Sequence, residues 1–156
     1  MTDINGGIDV KHIFIITHGE FGKYLIKSAE LILGQQKGVK AISIEPGKTP
    51  EELLNEIKTE IDKLEDSSEI LFFTDIIGGT PFNSIIPFLK EENHECVTGV
   101  NLPMLLEVLT NVNNMNLKKL AVLAYNKGIE GIRNVKVLVN SMKGGEQNES
   151  YTYQDR

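Results

Sequence analysis

The chain has 156 residues, which fits one domain with a single hydrophobic core. It is 40% hydrophobic and 24% charged with a net charge of −6, the composition of a soluble globular protein, and its scattered Lys and Arg residues argue against a nucleic-acid partner. No apolar run approaches the roughly 20 residues that cross a bilayer, and residues 1–10 lack a secretory signal pattern, so we expect a cytoplasmic protein. Cys96 is the only cysteine, so we expect no internal disulfide.

The first half of the chain alternates strand and helix patterns. The apolar run 13–17 predicts a strand, and apolar residues at helical spacing over 21–32 predict the helix that follows. A second predicted strand, 39–44, precedes the sequence Thr49-Pro50-Glu51-Glu52, which is typical of a capping box with proline at the first helical position. We expect the helix that it opens to reach Leu64.

The third predicted strand, 69–75, is nearly all apolar, as is typical of a central strand covered on both faces. We expect Thr80 to cap the next helix, with Pro81 at a permitted first position. This helix is predicted to run to about Lys90, with Pro87 bending its end because a proline inside a helix removes a hydrogen bond.

The second half of the chain continues the alternation. A fourth strand over 94–100 leads into a helix that reaches Leu109, and Asn116 is expected to cap a helix over 117–132. The alternating segment 135–139 predicts a fifth strand at an edge. Four strand–helix units in tandem favour an α/β fold, a doubly wound open sheet with four parallel strands in the order 2-1-3-4.

The domain is predicted to occupy residues 11–140. Residues 1–10 are interpreted as an N-terminal extension, and residues 141–156 as a polar, mobile tail, because both ends lack an apolar pattern. The chain contains no internal repeat and no long linker, so we expect a single domain.

Two predicted strands end in residues that can do chemistry. The first delivers His18 and the third delivers Asp75, and the order 2-1-3-4 makes these strands neighbours. A carboxylate that accepts the proton-bearing ring nitrogen fixes the tautomer and leaves the other nitrogen free to take a phosphoryl group. His12 and His94 begin their strands, so we expect them at the opposite edge, away from this site.

A glycine turn follows Asp75. The N–H groups of Gly78, Gly79 and Thr80, at the expected start of a helix, are suited to phosphate oxygens, and the Thr80 hydroxyl offers one more donor. We expect no metal and no cofactor, because neither a metal-ligand pattern nor an ATP-binding lysine loop is evident. Cys96 is expected to be a buried, unreactive thiol.

Three motifs in the same order resemble one known family. They are Thr17-His18-Gly19, the run from Asp75 to Asn83 that contains Gly-Gly-Thr-Pro-Phe-Asn, and Gly99-Val100-Asn101-Leu102-Pro103-Met104-Leu105. Together they resemble the enzyme IIA component of the mannose family of the bacterial phosphoenolpyruvate-dependent sugar phosphotransferase system. The likeness extends over residues 11–139.

The resemblance implies a cytoplasmic homodimer that exchanges its C-terminal strand, here 135–139, between subunits. It also implies that His18 accepts phosphate on Nε2 from the histidine-containing phosphocarrier protein, with Nδ1 held by Asp75, and passes it to a IIB component. The membrane components IIC and IID would be reached indirectly, with peripheral association with the transporter. Thr80 stands where many members have serine and keeps the hydroxyl. Many members fuse a IIB domain after this one. The sequence here stops before such a domain, so we expect IIB to be a separate protein.

Three other functions remain to be compared. A receiver domain of a two-component system would use Asp75 as the phosphate acceptor, but the sequence after the first strand lacks the acidic pair that holds magnesium. A flavin-binding module would need a Ser/Thr-rich loop in place of His18 and aromatic walls. The phosphocarrier subunit of dihydroxyacetone kinase uses a related domain with the same histidine chemistry, and the sequence leaves this alternative open.

Overall fold

The computed structural model describes residues 11–143. Its four strands form one parallel sheet in the order β2-β1-β3-β4, which confirms the predicted order 2-1-3-4. The strands are β1 (Lys11–His18), β2 (Val39–Ile44), β3 (Glu69–Thr74) and β4 (His94–Thr98).

Helices follow the strands, and all but the last of them pack on a face of the sheet. They are α1 (Phe21–Leu33), α2 (Pro50–Ile61), α3 (Thr80–Ile85), α4 (Leu102–Asn111), α5 (Leu117–Glu130) and α6 (Val135–Lys143), and a 3₁₀ segment (Ile86–Lys90) follows α3. Within residues 11–143, no helix combines the length and the apolar character that a membrane span requires.

The central strands β1 and β3 bury side chains on both faces because helices pack on each side. Alternate residues enter two separate clusters. One cluster places Ile15 and Phe73 against Leu120 and its neighbours from α1, α4 and α5. The other places Phe72 against Leu53 of α2 and residues of α3. This double coverage explains why the sequence of β3 is nearly all apolar.

The capping box before α2 is confirmed. The Thr49 hydroxyl accepts a hydrogen bond from the Glu52 N–H at 3.2 Å, and the Glu52 carboxylate accepts one from the Thr49 N–H at 2.7 Å. The break near Pro87 is also confirmed, since α3 gives way to the 3₁₀ segment at Ile86.

The prediction that Thr80 caps α3 is wrong. Gly79 occupies the N-cap position in an extended conformation, and Thr80 is the first helical residue. The Gly79 carbonyl accepts the Asn83 N–H at 2.9 Å, the first bond of the helix. The cap therefore lies one residue earlier than predicted, on a glycine, which is also a common N-cap residue.

The prediction of a fifth strand over 135–139 is also wrong, because these residues lie in α6. Val135, Leu138, Val139 and Met142 recur at helical spacing, so the same segment satisfies both periodicities. Within the described residues, none of the four strands of the sheet pairs with this segment. A strand without a partner leaves its N–H groups unpaired, whereas a helix satisfies most of them internally.

The predicted terminal segments fall largely beyond the described residues. Residues 1–10 and 144–156 lie outside them, and residues 141–143 form the end of α6.

The third motif, 99–105, joins α4 to α5. The Asn101 side chain accepts the Met104 N–H at 3.0 Å and so caps α4, while its amide donates to the Gly128 carbonyl of α5 at 3.1 Å. The glycine leaves room for two side chains, because a Cβ at Gly128 would lie 2.5 Å from Cε of Met104, the end of a flexible side chain, and 3.4 Å from Nδ2 of Asn101. This motif therefore fixes how two helices pack.

We expect Asn101→Ala to destabilise the protein more than Asn116→Ala, which removes a cap alone. The Asn116 side chain accepts only the Lys119 N–H, at 2.9 Å, whereas Asn101 caps α4 and also satisfies the Gly128 carbonyl. Losing a cap costs about 1 kcal/mol, and losing the additional bond costs about 1 kcal/mol more. Urea unfolding measures both free energies, and equal losses in the two variants would contradict the role of the bridge.

Candidate functional site

His18 and Asp75 meet at the carboxyl edge of the sheet. Strands β1 and β3 pair in parallel with Ile16 opposite Thr74, so the residues that follow each strand emerge side by side. Nδ1 of His18 lies 2.8 Å from Oδ2 of Asp75. The sequence prediction that these two side chains are neighbours is confirmed by this distance.

The carboxylate of Asp75 accepts three hydrogen bonds. Oδ2 accepts both the backbone N–H of His18, at 2.8 Å, and the ring nitrogen Nδ1. Oδ1 accepts the backbone N–H of Ile76 at 2.9 Å. Because a carboxylate has no proton to donate, Nδ1 must carry the hydrogen, and the neutral ring then has its lone pair on Nε2.

The two side chains differ in exposure. The His18 side chain is 51% exposed and the Asp75 side chain is 16% exposed. The imidazole can therefore be reached by another molecule, whereas the carboxylate is largely shielded by the groups that it binds. This division is suited to a nucleophile and the residue that orients it.

The pKa of Asp75 reflects opposing effects. Partial burial raises it, but the hydrogen bonds from the His18 backbone and ring, the charge of His18 and the Ile76 N–H outweigh burial. The pKa of Asp75 is therefore held below its ordinary value of 3.8. The carboxylate is charged at neutral pH and can stabilise positive charge on the ring.

The positions of Gly78 and Gly79 disfavour a side chain for different reasons. Gly78 has a φ of 75°, in the left-handed region that favours glycine. At Gly79 the constraint is steric, since a Cβ there would lie 3.0 Å from Cε1 of His18 and 3.1 Å from Cγ2 of Ile76. The imidazole thus rests against bare backbone at Gly79.

The loop beside the ring presents unused donors. Among the described residues, the N–H groups of Gly78, Gly79 and Thr80 and the Thr80 hydroxyl make no hydrogen bond of normal geometry, and the turn over Ile77 and Gly78 is closed only loosely by the Gly79 N–H and the Ile76 carbonyl. The structure therefore brings His18, Asp75 and Gly79 into contact and places Gly78 and Thr80 on either side of Gly79. An anion beside the ring would find several backbone donors near it.

The other histidines lie at the opposite edge, as predicted. His12 is near the start of β1, and burial followed by the charge of Lys40 lowers its pKa. His94 begins β4, where Nδ1 bonds to the Phe88 carbonyl at 2.8 Å and the ring packs edge-on against Phe72. Both rings therefore lie away from His18 and Asp75.

Cys96 is partly buried, and not fully as predicted, but it is a poor nucleophile. Burial and the neighbouring Glu95 raise the pKa of its thiol to about 12, so the thiolate is scarce at neutral pH. No group of three His, Cys, Asp or Glu side chains within residues 11–143 is arranged to hold a metal ion.

Two supporting residues were not assigned a role from sequence. The buried Thr17 hydroxyl accepts the Gly22 N–H at 2.9 Å and so holds the start of α1 next to His18. The Asn83 amide donates to the Gly78 carbonyl at 3.2 Å. A threonine just before a turn and an asparagine one helical turn after a glycine loop are signals for such side-chain-to-backbone bonds.

Comparison with known proteins gives consistent matches. Residues 12–124 match the model of a protein family described as "PTS system fructose IIA component". The "PTS system mannose-specific EIIAB component" of Escherichia coli strain K12 is 36% identical over 126 residues, which are 80% of this chain and 39% of that protein. The chain thus spans about two fifths of the length of this relative.

Two further relatives are covered more completely. The "PTS system fructose-specific EIIA component" of Bacillus subtilis strain 168 is 33% identical over 109 residues, 69% of this chain and 75% of that protein. The crystal structure of phosphotransferase system component EIIA from Streptococcus agalactiae aligns with a TM-score of 0.75 and 27% identity, covering 82% of this chain and 99% of that one.

We expect Asp75→Asn to disturb the tautomer of His18. An amide has one accepting atom, but the carboxylate accepts through both oxygens. If the NH₂ replaces Oδ2, it faces the His18 N–H and favours a ring protonated on Nε2; if it replaces Oδ1, it faces the Ile76 N–H. Nitrogen-15 NMR of the ring should therefore show a larger Nε2–H share in the variant than in the wild type.

Asp62→Asn serves as the control, because Asp62 is exposed and pairs only with Lys58. It should leave the His18 spectrum unchanged. An Nε2–H share in Asp75→Asn equal to that of the wild type would contradict the orienting role of the carboxylate. The stability difference between Asp75→Asn and the wild type should also shrink as the pH falls below 3.8. A carboxylate whose pKa is lowered in the folded state stabilises the fold fully above its ordinary pKa, and this stabilisation is lost as the pH falls and the folded carboxylate is protonated.

Proposed function

We propose a phosphoryl-carrier function for this protein, which belongs to the family of PTS system fructose IIA components and is an EIIA component of a sugar phosphotransferase system. In this proposal His18 accepts the phosphoryl group on Nε2. The observation that carries it is the contact between His18 and Asp75, which holds the ring proton on Nδ1 and leaves Nε2 of an exposed ring with a free lone pair.

The proposed reaction exchanges one N–P bond for another. The lone pair of His18 Nε2 attacks the phosphorus of a phosphohistidine on the donor protein. As the new bond forms, the donor's N–P bond breaks and its electron pair stays on the donor nitrogen. The His18 ring gains positive charge, which the adjacent carboxylate of Asp75 stabilises while holding the ring in place. Transfer to the acceptor reverses these steps with a different protein.

The glycine loop is proposed to bind the phosphoryl oxygens. The transition state of phosphoryl transfer is loose, so the protein mainly has to position the phosphoryl group and neutralise its charge. The unused N–H groups of Gly78, Gly79 and Thr80 support this role, and the Thr80 hydroxyl adds a donor. Glycine lets the backbone approach closely at this point.

The proposed partners are other proteins of the same system. His18 is proposed to receive phosphate from the histidine-containing phosphocarrier protein in the cytoplasm and to pass it to a IIB component, through which the membrane components IIC and IID are reached. The half-exposed imidazole and the exposed apolar side chains of Ile76 and Ile77, which follow Asp75 in the chain, support protein docking at this edge. Since Asp75 is shielded and His18 is exposed, the geometry favours His18 over Asp75 as the acceptor.

We expect His18→Ala to abolish phosphorylation. The wild type, incubated with phosphoenolpyruvate, enzyme I and the phosphocarrier protein, should gain one acid-labile, base-stable phosphate on a peptide containing His18. His94→Ala is the matched control, because His94 also has Nδ1 bonded to an oxygen but lies at the opposite edge. It should be labelled fully.

Full labelling of His18→Ala would refute the assignment, and a label on Asp75 would favour the receiver-domain alternative. The acceptor can be tested with the same phosphorylated protein. Transfer to a purified IIB component supports the proposed role, whereas transfer only to the subunits of dihydroxyacetone kinase would favour that system.

We also expect a homodimer at micromolar concentration, with α6 in its interface. The helix exposes apolar side chains, among them Val135 at 67% and Met142 at 80%, which a partner subunit would cover. Sedimentation of the full chain should give the mass of a dimer. Val135→Asp should weaken the dimer, and Lys136→Asp should not, because it introduces the same side chain without removing an apolar one. A monomer mass for the wild type would contradict the dimer.

A further inference from the structure

Asn83 binds two carbonyl groups of the glycine loop. Its side-chain amide donates to the Gly78 carbonyl at 3.2 Å, and its backbone N–H donates to the Gly79 carbonyl at 2.9 Å. The backbone bond is available to any residue except proline. The bond to Gly78, in contrast, needs a side chain that carries a donor at this reach.

These two bonds fix the direction of two N–H groups. In a trans peptide the C=O and the N–H point in opposite directions, and the described residues contain no cis peptide bond. The Gly78 carbonyl shares its peptide with the Gly79 N–H, and the Gly79 carbonyl shares its peptide with the Thr80 N–H. Because both carbonyls point towards Asn83, both N–H groups point away from it.

The Gly78–Gly79 peptide is the one that most needs support. It lies between two residues without a Cβ, so little steric resistance opposes its rotation. Gly78 already has a positive φ of 75°. Gly79 in turn lies against the His18 ring, where a Cβ would be 3.0 Å from Cε1. A rotation of this peptide would therefore replace a donor beside the imidazole with a carbonyl oxygen.

We propose that Asn83 is a positioning residue that holds the Gly78–Gly79 peptide with its N–H available to the phosphoryl group on His18. This inference rests on the proposed function. Asn83 acts through the Gly78 carbonyl and not through contact with the reacting atoms. It therefore explains why an asparagine follows the Gly-Gly-Thr-Pro-Phe sequence, for which the chemistry of His18 and Asp75 gives no reason.

The kinetic test compares Asn83→Ala and Asn83→Asp with the wild type. Transfer from the phosphocarrier protein is followed by rapid quench, with His18 labelling of the wild type as the reference. We expect kcat to fall about tenfold or more in both variants, with KM changed less than about twofold, because a preorganised donor is lost and the docking surface is not. Asp has the shape of Asn but no donor, so a purely steric role would be rescued by Asp and the proposed role would not.

Asn93→Ala is the matched control. The Asn93 amide also donates to a backbone carbonyl, that of Ser68 at 2.7 Å, but at the opposite edge of the sheet. It should keep the wild-type kcat. Circular dichroism and thermal unfolding check that each variant is folded.

A second measurement begins with the wild type, so its first result does not depend on the folding of a variant. On phosphorylation, the amide proton resonances of Gly79 and Thr80 should both move downfield. In Asn83→Ala the Gly79 shift should be lost and the Thr80 shift kept, because the backbone bond to Gly79 remains.

The outcomes separate the two proposals. A wild type that takes no phosphate on His18 overturns the proposed function and this inference with it. A labelled wild type whose Gly79 amide does not move, or wild-type rates in both Asn83 variants, overturns the role of Asn83 alone.

Discussion

One carboxylate oxygen holds both the backbone and the ring of the residue on which the site depends. Oδ2 of Asp75 accepts the His18 N–H and the Nδ1 proton, each at 2.8 Å. The first bond ties the end of β1 to the loop after β3, and the second sets the tautomer. Backbone position and ring protonation are therefore fixed by a single atom, and any change that moves Asp75 alters both. The parallel register of β1 and β3 is what brings this atom within reach.

The glycine loop complements this interaction because it lacks side chains next to the His18 ring. Bare backbone at Gly79 gives the ring room to lie in its Asp75-bound orientation, and the positive φ of Gly78 turns the chain tightly into α3. Such freedom has an entropic cost and invites rotation of the peptide between the glycines. The bonds from Asn83 oppose that rotation, so a flexible sequence is held in one conformation by the first turn of the helix that follows it.

The same residue types have different properties at the two edges of the sheet. His18 is half exposed and bonded to a charged carboxylate, whereas His94 bonds to a neutral carbonyl and packs on Phe72. The Cys96 thiol is made inert by burial. Membership of a motif does not imply chemistry either, since Asn101 caps α4 and fastens it to α5. The reactivity of a side chain in this protein therefore depends on its neighbours and its exposure, and not on its residue type alone.

Sequence alone determined the four parallel strands, their order and the meeting of His18 with Asp75, because apolar periodicity and the crossover rules of α/β folds act through local pattern and chain direction. The same pattern failed at 135–139, where alternation and helical spacing coexist and only the presence or absence of a neighbouring strand decides between them. It also placed the cap of α3 at Thr80 instead of Gly79 and gave Asn83 no role. The missing neighbour of 135–139 is a matter of how distant segments pack, whereas the cap and the Asn83 bond join residues only four or five positions apart and depend on the direction of individual hydrogen bonds, which apolar periodicity does not encode.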